Sequence, residues 1–196
     1  MKFKAFGVSF DVSVPFSVII AFLLITDKTG LMTVSLVAII LHDLGHSIAL
    51  KIQGCAPLSV KFCSSGVLIS GTRYCTIREN AIIAFSGPFS NFIFTLLFYC
   101  LWQVTDIYYL LCFAAVQFIV GFVNLFPVKG LDGGTLFVCF LKLFPKVNVN
   151  LVFGIVSFLT ACAMTVLGAA VVVKNVSNPS LLLLGIYLII LNIMKS

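Results

Sequence analysis

The sequence predicts an all-α polytopic membrane protein with about six transmembrane helices and a small membrane-associated β-hairpin. Of the 196 residues, 61% are hydrophobic and 9% are charged, whereas typical soluble chains are about 45–50% apolar and about 25% charged. The apolar residues also fall into long runs separated by short polar clusters, which is typical of membrane-spanning helices. A soluble domain, a disordered chain and a secreted disulfide scaffold are poor fits to this composition.

Six apolar runs are candidate transmembrane spans. A spanning helix needs about 20 residues, so the first and last runs are short. The turn Asp27-Lys28-Thr29-Gly30 follows the first run, and Asn178-Pro179 before the last run cannot continue a helix. The six runs are Ser13–Thr26, Leu31–Ile52, Asn80–Val104, Ile107–Phe126, Val147–Val173 and Ser180–Met194.

The basic residues predict the orientation of this bundle. If all six runs cross the membrane, ten of the twelve Lys and Arg residues fall on one side. Because positive charge is enriched on the cytoplasmic side, both termini and the polar ends of the second and fourth runs, where an opening to a polar interior would lie, are predicted to be cytoplasmic. The ten are Lys2, Lys4, Lys51, Lys61, Arg73, Arg78, Lys129, Lys142, Lys146 and Lys195. They lie singly at the ends of apolar runs, so we expect no nucleic-acid partner.

The polar segment Pro57–Thr76 alternates apolar and polar residues, which predicts a β-hairpin at the membrane surface. Cys55, Cys63 and Cys75 lie in or beside it, but they form no CxxC pair and match no zinc-knuckle spacing. We interpret them as structural thiols rather than as metal ligands or a redox pair. The other four cysteines lie inside apolar runs and are interpreted as small core residues.

The second apolar run carries both histidines of the chain, in the segment L-H-D-L-G-H-S. His42 and His46 are four residues apart, so a helix projects them from one face, where two imidazoles can bind one ion. Asp43 lies beside them. Ionisable groups within a membrane span are costly and usually mark function. A pair of hydrogen-bonded core histidines is the alternative, but their spacing next to an acid favours a metal site.

Asp132 is the best candidate for a third ligand, since a catalytic zinc site commonly takes three protein ligands and a water. It lies in N-L-F-P-V-K-G-L-D-G-G, from Asn124 to Gly134. An Asp before Gly-Gly is also ordinary in a turn or at a helix N-cap. The chain has only six acidic residues, and the four outside Asp43 and Asp132 lie at span ends or turns, which favours the ligand interpretation.

Taken together, these motifs resemble those of the site-2 protease family of intramembrane zinc metalloproteases, particularly its compact, sporulation-type branch. The family's H-E-x-x-H helix is matched by H-D-L-G-H, and its N-x-x-P-x-x-x-L-D-G motif is matched by the segment from Asn124 to Gly134. A Gly-Pro followed by Asn is matched by S-G-P-F-S-N, from Ser86 to Asn91. The resemblance implies a single intramembrane metalloprotease-like domain over residues 1–196.

The resemblance also implies roles for particular residues. Zn²⁺ would be bound by His42, His46 and Asp132. Asn124 would position the substrate or the reacting carbonyl. The residues shaping the helix beside the site would be Gly87, Pro88 and Asn91. Structural alternatives stay open here, because Gly-Pro can be a plain kink and an asparagine can hydrogen-bond between helices.

Asp43 stands where the family has the glutamate that acts as general base. Its side chain is one methylene shorter, which withdraws the carboxylate by roughly 1–1.5 Å, and a misplacement of that size can cost about a hundredfold in rate. Three explanations stay open. The helix lies closer to the metal, or the protein is a weak or inactive relative, or the aspartate was introduced to trap a substrate.

The function that the resemblance implies is zinc-dependent cleavage of a transmembrane segment in a single-span membrane-protein substrate. The lipid bilayer and a separate membrane regulator are the other expected partners. The predicted hairpin either adds a strand to an unwound substrate or caps the bundle. Two other classes stay open: a catalytically inactive, protease-like regulator that binds substrate, and an ion or proton transporter that uses the His/Asp cluster.

Overall fold

The computed structural model describes residues 2–5, 8–12, 25, 27, 30–55, 57–63, 66–71, 75–174 and 180–194. The chain divides into two compact units, Met1–Gly121 and Phe122–Ser196. The described strands are β1 (Lys2–Ala5), β2 (Val8–Val12), β3 (Pro57–Cys63) and β4 (Gly66–Gly71). The described helices are α1 (Leu31–Ile52), α2 (Ile77–Thr105), α3 (Tyr108–Asn124), α4 (Asp132–Leu141), α5 (Val149–Lys174) and α6 (Ser180–Met194).

The helices follow the apolar runs of the sequence closely. Helices α1 and α6 have the predicted bounds, and α2, α3 and α5 begin and end within three residues of them. Within the described residues, three helices are long and apolar enough to cross a membrane, namely α1, α2 and the Val149–Val173 part of α5. A helical membrane protein is therefore supported, while six passes and a cytoplasmic opening stay predictions. Apart from Ile25, the predicted first span Ser13–Thr26 lies outside the described residues.

Specific side chains fix where α1 and α2 begin. The Asp27 carboxylate accepts the Gly30 N–H at 2.9 Å and the Thr33 N–H at 3.1 Å, which satisfies donors at the start of α1. Thr76 and Glu79 form a capping box at the start of α2, in which each side chain accepts a backbone N–H of the other residue. Asp27, in the turn that the sequence predicts before this run, thus caps the start of α1.

The four strands form one sheet in the order β1-β2-β3-β4. Strands β3 and β4 pair antiparallel, with Val60 opposite Ile69 and Phe62 opposite Val67, in the segment where the sequence predicts a hairpin. On its other edge β3 pairs in parallel with β2, which pairs antiparallel with β1. The sheet is larger than the predicted hairpin because the N-terminal strands add to it. Its association with the membrane surface stays a prediction.

The Phe122–Ser196 unit has a small apolar core between α5, α6 and the loop that precedes α4. The buried members of this core are Val128, Ala161, Met164 and Leu188. A polar chain crosses the same region, because the buried Ser157 hydroxyl accepts the Lys129 N–H at 2.8 Å and donates to the Asn192 amide oxygen at 2.8 Å. These bonds hold the loop before α4 against α5 and α6. They also satisfy buried polar groups that would be costly to leave without a hydrogen-bond partner.

The first turn of α4 lies directly against the loop that precedes it. A Cβ on Gly133 would overlap the Leu125 and Phe126 carbonyl groups, and a Cβ on Gly134 would overlap the Val128 carbonyl. Only a residue without a side chain permits this approach. The Asn-x-x-Pro and Asp-Gly-Gly parts of the downstream motif are therefore one packed structure.

We expect Gly133→Ala to lower the free energy of unfolding by about 1–3 kcal/mol, since the added methyl group must displace backbone rather than a flexible side chain. Thermal unfolding in detergent measures the change. Gly154→Ala is the matched control, because a Cβ at helical Gly154 meets nothing within 4 Å, and it should leave stability equal or slightly higher. Equal unfolding temperatures for the two variants would contradict the packing described above.

Candidate active site

The two histidines of α1 converge on one point within the Met1–Gly121 unit. Their Nε2 atoms are 3.1 Å apart, and their rings meet edge to face at 84° with centroids 4.8 Å apart. His42 is 7% exposed and His46 is 9% exposed, so both rings are buried in the protein rather than facing lipid. The i, i+4 spacing thus produces the shared face that the sequence predicts.

The orientation of His46 is set by a backbone carbonyl of α2. Nδ1 of His46 lies 2.7 Å from the Ile83 carbonyl oxygen, an acceptor only, so Nδ1 carries the proton and donates. In the neutral ring, Nε2 is then the lone-pair nitrogen, and it faces His42. Histidine ligands of metals commonly donate their other ring N–H to such a carbonyl, which fixes the tautomer and the ring orientation.

The Gly-Pro pair of α2 packs on the two imidazoles. A Cβ on Gly87 would overlap the His46 ring and would lie 2.8 Å from Cε1 of His42. Pro88, which follows, is fully buried and lacks the N–H that would bond the Ala84 carbonyl within the helix. The glycine therefore lets the backbone of α2 approach both rings, and the proline removes the helical N–H donor of the Ala84 carbonyl.

Close packing of α1 on α2 holds this arrangement. A Cβ on Gly45 would lie 2.6 Å from the Ser86 carbonyl oxygen and 2.8 Å from the Ser90 hydroxyl. The Ser90 hydroxyl shares its proton between the Leu41 carbonyl at 3.0 Å and the Gly87 carbonyl at 2.7 Å. Small residues thus bring the two backbones together, as is common between transmembrane helices.

The histidine pair fits zinc. Two imidazole nitrogens on one tetrahedral Zn²⁺, each about 2.0–2.1 Å from the metal, lie about 3.3–3.4 Å apart. The observed 3.1 Å between the two Nε2 atoms needs only a small adjustment to reach that separation. The fixed Nδ1–H of His46 supplies the expected outer contact.

The other predicted residues of the catalytic motifs lie nearby in sequence or in the second unit. Asp43 is half-buried on α1, next to His42. Asn124 is the last residue of α3, and Asp132 is the first residue of α4; both are half-buried and belong to the Phe122–Ser196 unit. The structure thus brings the two histidines and the Gly-Pro pair together in one unit, and the parts played by Asp43, Asn124 and Asp132 stay predictions.

Two fully buried amides stand out in the Met1–Gly121 unit. Asn91 and Gln117 are both 0% exposed, and within the described part of the chain neither amide group has a hydrogen-bond partner. Asn91 packs on α3 at Gly121, since a Cβ added to Gly121 would lie 3.0 Å from the Cβ of Asn91. Gln117 lies one turn before Gly121 on the same helix. Bonding of Asn91 to a neighbouring helix, the structural alternative, is therefore not formed among these residues.

Gln117 was missed by the sequence motifs. Its signal is compositional, because it is the one amide side chain inside the apolar run Ile107–Phe126 apart from the motif residue Asn124. Polar residues in the interior of a membrane helix usually face a bundle interior or a water-filled cavity. The position of Gln117 on the buried face of α3 agrees with that rule.

Comparison with solved structures shows the fold. The chain is similar to the Site-2 Protease from Methanocaldococcus jannaschii, with 21% sequence identity, a TM-score of 0.70 and coverage of 100% of this chain and 94% of that chain. No protein-family model matches the sequence, and the comparison with curated proteins gave no match. The chain therefore has the fold of that protease.

We expect Gly87→Ala to abolish Zn²⁺ binding by the histidine pair, because the added methyl group collides with both rings. The chain has two histidines, so selective ¹⁵N-histidine labelling reports these two rings alone. In the parent protein, Zn²⁺ should shift both Nε2 resonances while the Nδ1 of His46 stays protonated. In Gly87→Ala, those Zn²⁺-induced shifts should disappear.

Gly45→Ala is the matched comparison for this experiment. It introduces a methyl group at the same helix contact, but that group meets Ser86 and Ser90 rather than the imidazoles. Equal loss of the zinc response in both variants would show that general helix packing, and not the contact of Gly87 with the rings, controls the site.

Proposed function

We propose that this protein is a zinc-dependent intramembrane endopeptidase that hydrolyses a peptide bond in a transmembrane segment of a single-span membrane protein. The observation that carries the proposal is the buried His42–His46 pair, with converging Nε2 atoms and Gly87 packed on both rings, in a chain with the fold of a site-2 protease. The sequence resemblance to the compact, sporulation-type branch of that family supports the same assignment.

The proposed ligands of Zn²⁺ are His42, His46 and Asp132. The geometry of the histidines supports the first two, and the matched L-D-G motif supports Asp132. When bound, Zn²⁺ supplies Lewis acidity, which makes a water more acidic and polarises a carbonyl oxygen. The Ile83 carbonyl holds the His46 ring in an orientation in which its Nε2 would be available to the ion.

Asp43 is the proposed general base. Its carboxylate takes the proton of the attacking water at one oxygen and then gives that proton to the nitrogen of the departing amine. Asn124, at the end of α3, is proposed to hold the substrate or the reacting carbonyl through its side-chain amide. Aspartate has the acid–base chemistry of glutamate with a shorter reach, so a reduced rate is part of this proposal.

Hydrolysis inside a membrane also needs water, and the buried amides of Asn91 and Gln117 support a polar interior. A buried amide without a partner costs about 1–3 kcal/mol, and a water that bridges polar groups removes that cost. We propose that these two side chains hold water or the unwound backbone of the substrate between α2 and α3.

The proposed setting is a multi-pass protein whose active-site opening faces the cytoplasm, as the distribution of basic residues predicts. Strand β4, at one edge of the described sheet, offers backbone groups with which an extended substrate could pair. The lipid bilayer and a separate membrane regulator complete the proposed partners. All of residues 1–196 would act as one intramembrane metalloprotease-like domain.

We expect Gln117→Met to separate stability from activity. This near-isosteric change replaces a fully buried amide with an apolar side chain of similar size, so the free energy of unfolding in detergent should not fall. Cleavage of transmembrane peptides should slow, because the polar group that holds water or substrate is lost. If the amide has only a structural role, Gln117→Met should cleave as fast as the parent protein, whether or not its stability changes.

We expect cleavage to depend on residue 43 in a graded way. In vesicles that hold the protein and a pool of single-span transmembrane peptides, Asp43→Asn should abolish Zn²⁺-dependent cleavage, because the proton acceptor is lost. Asp43→Glu should raise the rate by up to about a hundredfold if the shorter side chain misplaces the carboxylate. His42→Ala is the negative control, and the cut peptides are measured by mass spectrometry.

The same experiment tests the other classes. Cleavage by Asp43→Glu with none by the parent protein would identify a catalytically inactive, substrate-binding relative. The aspartate is a competent base in this protein if parent and Asp43→Glu cut at similar rates. If neither cuts any peptide, and ion flux into the vesicles requires His42, the protein is a transporter and the protease proposal is wrong.

A further inference from the structure

A second group of metal-ligating side chains lies outside the histidine site, also within the Met1–Gly121 unit. It consists of Cys55, Cys75 and Glu79, whose two sulfur atoms and one carboxylate oxygen all lie within 4.8 Å of one another. Cys55 is fully buried, and the other two residues are half-buried. The cluster is therefore largely shielded from solvent, while its two partly exposed residues leave it accessible to a metal ion.

The distances suit a zinc ion. Tetrahedral Zn²⁺, at about 2.3 Å from sulfur and about 2.0–2.2 Å from carboxylate oxygen, separates two sulfurs by about 3.8 Å and a sulfur from an oxygen by about 3.6 Å. Sγ of Cys55 lies 3.9 Å from Oε2 of Glu79. Two thiolates with one carboxylate leave the fourth position of the ion for water.

The Glu79 carboxylate is held in place by the protein itself, without a metal ion. Oε2 of Glu79 accepts the Thr76 N–H at 2.7 Å, as part of the capping box that begins α2. On the other side, the backbone N–H of Cys55 donates to the Leu50 carbonyl at 2.9 Å, which ties this residue to the end of α1. A preorganised ligand set loses less conformational entropy on binding.

The three residues of the cluster flank the β3–β4 segment in the chain, which indicates a structural role for a bound metal. Cys55 comes between α1 and β3, Cys75 comes between β4 and α2, and Glu79 lies in the first turn of α2. We propose that Cys55, Cys75 and Glu79 bind one Zn²⁺, which joins the two ends of the β3–β4 segment to each other and to the helices that carry the histidine site. A disulfide between Cys55 and Cys75 is the competing chemistry, but it needs no carboxylate beside the sulfurs.

The experiment uses the purified full chain in detergent, loaded with Co²⁺ in place of Zn²⁺. Thiolate ligands give Co²⁺ a ligand-to-metal charge-transfer absorption that histidine and carboxylate ligands do not give. We expect this band in the parent protein and, undiminished, in a His42→Ala/His46→Ala double variant. It should be absent from Cys55→Ser/Cys75→Ser and unchanged in Cys100→Ser, whose thiol is exposed.

Glu79→Gln keeps the proposal testable if the double cysteine variant does not fold. Glutamine also serves at this position of a capping box, so the start of α2 should be preserved and the unfolding temperature unchanged. The Co²⁺ affinity of this site should fall by at least the roughly 10–100-fold that lost outer-shell partners cause.

Two results would overturn the proposal. One is the absence of a thiolate charge-transfer band when the reduced parent protein is loaded with Co²⁺. This holds also if the protein is purified with a Cys55–Cys75 disulfide that is then reduced. The other is full Co²⁺ affinity in Glu79→Gln. The proposed protease site fails independently of this one, because its failure appears in the histidine ¹⁵N response and leaves the thiolate band in place.

Discussion

The hydrogen bond between Nδ1 of His46 and the Ile83 carbonyl is the contact on which the rest of the histidine site depends. An apolar helix has no water with which to satisfy a buried imidazole, so its donor must find an acceptor in the protein. That acceptor lies on α2, in the turn where Pro88 removes a helical N–H donor. The bond fixes the proton on Nδ1, and Nε2 faces His42 as a consequence.

Glycine makes this bond reachable. Gly87 lies against both rings and Gly45 lies against the Ser86 carbonyl, so the two helix backbones approach more closely than any side chain would allow. The Gly-Pro pair therefore has two linked effects. Glycine provides the space for the imidazoles, and proline removes the helical donor of the Ala84 carbonyl, which is adjacent in sequence to the Ile83 carbonyl that accepts from His46. A kink alone would not explain why the residue before the proline is glycine.

Most of the helix bounds could be predicted from the apolar runs. A helix in lipid needs a long uninterrupted apolar stretch, and the breaks between the stretches carry turn residues. The histidine pair was equally predictable, since i, i+4 geometry is local. Strands β1 and β2 were not predicted, because β2 pairs with β3 across about 50 positions of the chain, which depends on tertiary structure, and β1 pairs in turn with β2. The Cys55–Cys75–Glu79 cluster escaped the sequence for the same reason: Glu79 has a complete local explanation as a helix cap, and only the fold brings it to the thiols.

Asn91 and Gln117 carry the argument from structure to function one step further. A bundle selected for stability alone would place apolar side chains at two fully buried positions, since a buried amide that finds no partner costs about 1–3 kcal/mol and neither amide has one among the described residues. Both residues instead lie along the contact of α2 with α3, and Asn91 is one turn beyond Gly87, which touches the histidines. A membrane protein that hydrolyses peptide bonds must admit both water and an unwound backbone, and amide groups can donate to and accept from each of them. The polar groups that weaken this interior are the kind that the proposed chemistry requires.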